Sequence, residues 1–167
     1  MRSHLAWWGA LGAGLLFQTT LFASVLPPVW TPDVTRAMTL WLALTGLPRG
    51  GAVLAFSAGL AVDLVSGAPP GFTAALRLGL YALARPLRGV FFENRPLLLF
   101  PFGALGAFAD AAGAGLLRWL VFPTPFSPDV LVWTAWHQAL VDVLWVPAVF
   151  IGFEVLAGRR PTVEVPA

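Results

Sequence analysis

Residues 96–122 read PLLLFPFGALGAFADAAGAGLLRWLVF, an apolar run broken by one carboxylate, Asp110, and closed by Arg118. A bilayer core about 30 Å thick is crossed by roughly 20 helical residues, so this run is long enough to span it. At helical spacing Gly103, Gly106, Ala107, Asp110, Gly113 and Ala114 fall on one face. Small residues on one face let helices approach closely, so Asp110 is expected to point into a helix–helix contact. The segment therefore reads as one spanning helix of a bundle.

The rest of the chain agrees. Of 167 residues, 58% are hydrophobic even without the 17 glycines, and 11% are charged. A soluble domain carries about 45–50% apolar residues with glycine included and about 25% charged. Soluble-enzyme, disordered and disulfide-scaffold classes are excluded on this count. The net charge of +2 comes from ten arginines, no lysine and eight acids, with no basic stripe that would suit a nucleic acid. Cysteine is absent, which removes disulfides, thiolate metal sites and cysteine nucleophiles.

The expected class is all-α: a polytopic membrane protein forming one six-helix transmembrane bundle over residues 1–167. The spans are expected at about 5–26, 33–47, 50–65, 72–92, 96–122 and 129–157. The second and third are short, and a count of five that merges or drops the second is the alternative. Arg2 and the run behind it resemble a signal peptide, but the apolar run is too long and lacks a small-x-small site, so it is read as an uncleaved first helix. Six spans place Arg2, Arg49, Arg85, Arg88, Arg95, Arg159 and Arg160 on one side, whereas residues 27–33, 66–70 and 123–128 hold no arginine. The arginine bias puts both termini of a multi-pass membrane protein in the cytoplasm.

No phosphate loop, GxGxxG, HExxH or GxSxG is present. Two histidines, His4 and His137, lie in different segments, too few for a metal site. Ser66, His137 and Asp63 can be written as a triad, but no spacing supports it. No catalytic residue, cofactor or metal is expected, and the chain is read as a non-enzyme. The informative residues are ionisable groups inside spans, each costing roughly 2.5–3.5 kcal/mol at mid-helix and so turned inward toward a partner. These are Asp63, Arg77, Asp110 and Asp142, with Arg36, Arg118 and His137 as further candidates. A hairpin about residues 66–70 sets Asp63 and Arg77 at similar depth, and an Asp63–Arg77 pair is expected. Asp110 and Asp142 lie about 20 Å from the outer ends of their helices. They could share a proton, cap backbone groups or bind a cation; the favoured expectation is that each accepts a hydrogen bond from a neighbouring Thr, Trp or arginine. Thr134, Gln138 and Asp142, at i, i+4, i+8, form a polar stripe beside His137. Span one carries Gly9, Ala10, Ala13 and Gly14 on one face, suited to packing in the bundle or against another membrane protein. The arginine- and phenylalanine-rich loop 85–95 suits docking of a cytoplasmic partner or, the favoured reading, anchoring at anionic lipid.

Residues 59–71, GLAVDLVSGAPPG, resemble the signature of the rod shape-determining protein MreD family at Gly59, Leu60, Asp63, Leu64, Ser66, Gly67 and Gly71. Pro32-Asp33-Val34 and Gln18 are similar to further family features; Pro69-Pro70 and Arg36 depart from its pattern. The resemblance implies a non-enzymatic inner-membrane scaffold of the cell-wall elongation machinery. Its partners would be an MreC-like bitopic membrane protein, MreB and peptidoglycan synthases reached directly or indirectly, and membrane lipid, with a homodimer left open. The rival class is the substrate-binding membrane subunit of a small-molecule, vitamin-type transporter. Its pocket would use Asp110, His137, Gln138 and Asp142, and it would dock through Ala10 and Gly14.

Overall fold

A computed structural model describes residues 2–25, 27, 30–45, 50–88, 99–121 and 127–156. Among them every regular element is helical. The order is α1 (Arg2–Leu16), a π-helical stretch (Phe17–Phe22), α2 (Ala23–Val25), α3 (Val34–Thr45), α4 (Gly51–Ser66), α5 (Phe72–Ala84), a 3₁₀ turn (Arg85–Leu87), α6 (Leu99–Val121) and α7 (Pro128–Leu156). In the π stretch the Thr19 and Thr20 hydroxyls donate back to the carbonyls of Leu15 and Leu16. Such back-bonding competes with the regular ladder, and π turns recur at functional places in helices.

α3 is the axis of the molecule. Every residue from Thr35 to Leu44 is buried, and the helix touches α1, α4, α5, α6 and α7. Met38, Trp41, Leu42, Val146 and Phe150 form the centre of the core. Trp41 packs against Phe153 and donates its indole N–H to Glu154 Oε1 at 3.0 Å.

Two close approaches set the helix pairs. At Gly59 an added Cβ would lie 2.5 Å from the Ala74 backbone, so α4 and α5 meet backbone to backbone. At Gly103 it would run into the Asp142 carbonyl, which brings α6 and α7 into the same kind of contact. The α4–α5 turn needs its glycines: Gly67 (φ 69°) ends α4 and Gly71 (φ 93°) starts α5, both in the left-handed region that side chains disfavour.

Beside the apolar core, buried ions and exposed apolar side chains set this fold apart from a water-soluble one. Arg36, Asp63, Arg77 and Asp142 are buried, whereas Leu105, Leu116, Trp119, Leu120, Val132, Trp133, Leu144, Ile151 and Val155 are exposed. α6 and α7 are long and apolar enough to cross a membrane; α4 is apolar but shorter.

Five expected segments start and stop within three residues of a helix end. The fourth is the exception. α5 stops at Ala84, and the chain turns through Arg85–Leu87, where Pro86 supplies no amide hydrogen. Most of the basic loop, residues 89–95, lies outside the described residues, as do the ends of the chain that carry Met1, Arg159 and Arg160.

Candidate functional site

Asp110 and Asp142 stand at the midpoints of α6 and α7. At 1.5 Å per residue that is about 16 Å and about 21 Å from either end, the depth at which water is least available if these helices cross a bilayer. Between them arrives the start of α3. Asp33 Oδ1 accepts the Thr35 hydroxyl at 2.7 Å and the Arg36 amide at 3.0 Å, and Gln18 Oε1 accepts the Val34 amide at 3.1 Å. Two side chains thus cap one helix N-terminus, where amides lack intrahelical acceptors. Gln18 reaches the cap from the π stretch, so the irregularity in the first helix lies where it serves α3.

Capping aims Arg36 into the core. Its guanidinium meets Asp142 Oδ2, Asp110 Oδ2 at 3.0 Å, Asp33 Oδ2 at 3.4 Å and Gln138 Oε1 at 3.5 Å. Arg77, from α5, closes the other side. Its Nε donates to Thr35 Oγ1 at 3.1 Å, and its terminal nitrogens meet Asp110 Oδ1 at 2.5 Å and Asp33 Oδ2. Asp33 and Asp110 therefore bridge both arginines, while Asp142 touches Arg36 alone. The Gln138 side-chain amide extends the network to the Thr31 carbonyl at 3.4 Å.

Charges placed away from water are tolerated when they are paired and hydrogen-bonded, and the planar arginine fork suits several carboxylates at once. The network joins the entry to α3 with α5, α6 and α7, so its first effect is to fix how four segments sit together. Asp110 and Asp142 share an arginine here, in the manner of the favoured sequence expectation. No group of three His, Cys, Asp or Glu arranged to hold a metal ion occurs among the described residues.

The expected Asp63–Arg77 pair does not form. Asp63 instead accepts backbone amides of the next helix, Gly71 at 2.9 Å, Thr73 at 2.9 Å and Ala74 at 3.3 Å. The two residues face different neighbours. The α5 amides lie within reach of Asp63, and Arg77 faces α3 and α6. Four residues of the 59–71 stretch have a part in this hairpin: Gly59 the close approach, Asp63 the cap, and Gly67 and Gly71 the left-handed turns. Ser66 is exposed at the end of α4.

The remaining candidates separate. His137 is half-buried beside the Trp133 and Trp30 rings, at 4.0 Å and 5.5 Å, with Nδ1 2.9 Å from the Trp133 carbonyl. Thr134 is exposed and bonds to Val130 O, so of the polar stripe only Gln138 and Asp142 reach the network. Ala10 packs on the core, and a Cβ at Gly14 would lie 2.9 Å from Val34, so Gly14 serves the α1–α3 contact. Sequence reasoning passed over Asp33 and Thr35 as partners. The available signal was Arg36, a costly charge in an apolar run with an acid three residues before it.

Comparison of the chain with family models, curated proteins and solved structures returns no match.

Proposed function

We propose that this protein is a multi-pass bundle of six membrane-embedded segments, with both termini cytoplasmic, that acts as a non-enzymatic scaffold. Arg36, Asp63, Arg77 and Asp142 are inside, and many large apolar side chains of α6 and α7 are outside, an arrangement that lipid favours and water opposes. α6 and α7 would cross as single helices; the remaining segments, shorter or interrupted, would complete the bundle around α3. The arginine bias supplies the orientation.

The observation that carries the scaffold reading is the closure of the polar core. Asp110 and Asp142 are both held by Arg36, and Gln138 is held between Arg36 and Thr31. A carrier would keep such groups available to its substrate; here they brace the helices against one another. A platform that holds other membrane proteins in register needs that rigidity. Joined to the resemblance of residues 59–71, this makes the specific proposal a component of bacterial cell-wall elongation that binds an MreC-like single-span protein and links MreB to peptidoglycan synthases.

The test is purification of the tagged protein in mild detergent from its native membranes, with mass spectrometry of what stays bound. Recovery of a single-span MreC-like protein, with or without wall synthases, is the expected result. Recovery of ATPase subunits with a coupling membrane protein, and no wall-elongation protein, would overturn it in favour of the transporter subunit.

A further inference from the structure

The buried network is not balanced in charge. Two guanidiniums face three carboxylates, Asp33, Asp110 and Asp142. The neighbouring titratable groups do not supply the missing charge. Asp63, on α4, is engaged by the amides that begin α5. Glu154, further along α7, is another acid and accepts from Trp41. Tyr81, on α5, meets Arg85, and His137, five residues before Asp142, bonds to the Trp133 carbonyl. From the first helix the network receives Gln18, which is neutral.

Arginine stays protonated in proteins, so the difference must be made up on a carboxylate. An unpaired charge in surroundings that exclude water is costly enough that the group neutralises instead. The three acids are not equivalent. Both oxygens of Asp33 and both of Asp110 meet donors. Asp142 is 1% exposed, and its contacts run through Oδ2 alone, to Arg36.

We propose that this cluster is a proton-binding site, with one proton held on Asp142 Oδ1 at neutral pH. The proton comes from water, no bond between heavy atoms changes, and Oδ2 continues to accept from Arg36. The core is then neutral as a whole, two cations against two anions. The α3–α7 joint is the one whose strength depends on the proton, while Asp33 and Asp110 tie α3 to α5 and α6 through fully charged contacts. The inference rests on burial and charge and is independent of which partner the protein binds.

The experiment is infrared spectroscopy of the full chain in lipid nanodiscs at pH 7, in H₂O and in D₂O. A protonated carboxyl has a C=O stretch clear of ionised carboxylate bands and sensitive to deuterium. Wild type should show that band, and Asp142→Asn should lose it. Asp33→Asn, which keeps an oxygen to cap α3 and relieves the same excess, should lose it as well, and it serves alone should Asp142→Asn fail to fold. Absence of the band in wild type, or its persistence in either variant, overturns the proposal.

Discussion

Asp63→Ala isolates what the hairpin carboxylate contributes. The change strips the acceptor from the amides of Gly71, Thr73 and Ala74 at the start of α5. A partly buried donor left without a partner costs about 1–3 kcal/mol, and loss of an N-cap typically costs about 1 kcal/mol. The three bonds share one side chain, and the neighbouring turn is exposed at Ser66, Gly67, Pro69 and Pro70, so water replaces part of the loss. The expected destabilisation is about 2–4 kcal/mol, below the simple sum because the terms are not independent. Asp63→Asn keeps one acceptor oxygen and should lose about half as much. Unfolding in mixed micelles by titration with a denaturing detergent, followed by tryptophan fluorescence, measures both. If Asp63→Ala lies within about 0.5 kcal/mol of wild type, the cap is not what holds the turn. If Asn is as harmful as Ala, the charge matters and the acceptor geometry does not.

Arg36→Met removes the hub of the core and leaves Asp33 and Asp110 facing Arg77 alone; about 3–5 kcal/mol is expected by the same titration, and the added change Asp110→Asn should restore part of it. Arg77→Gln and Asp110→Asn should couple by more than about 0.5 kcal/mol in a double-mutant cycle, whereas Arg77→Gln and Asp63→Asn should be near additive, because only the first pair is in contact. Gly59→Val should separate α4 from α5 and cost about 1–3 kcal/mol, while Gly79→Ala, where an added Cβ meets open space, should be neutral or stabilising by up to about 1 kcal/mol; melting monitored by size-exclusion chromatography distinguishes them. Trp41→Phe keeps the ring packing but loses the bond to Glu154, for an expected loss of about 1 kcal/mol in the micelle titration.

Apolar run length, small-residue spacing and turn residues are local properties, and most helix positions could be read from them. Gly103, Gly106 and Gly113, assigned to one face from their spacing alone, all lie against neighbouring elements: the Asp142 backbone, Leu40 and Leu76. The π stretch at Phe17–Phe22 left no periodic trace, because it depends on where Gln18 must reach. The end of α5 was misread as well: the apolar residues continue past Pro86, but the helix does not.

The partners of the buried charges were a different matter. Composition and the cost of burying ionisable groups were enough to say that Asp63, Arg77, Asp110 and Asp142 face inward and must be paired. They were not enough to say with what. Counting residues from the turn predicts similar depth for Asp63 and Arg77, yet one caps a helix and the other crosses to α3 and α6. Arg36 and Asp142 are 106 residues apart, and they meet only because the N-terminus of α3 arrives beside the midpoints of α6 and α7. Depth along a helix follows from counting residues; azimuth and the neighbour opposite follow from how helices pack. A guanidinium with five donors accepts whichever carboxylates that packing delivers.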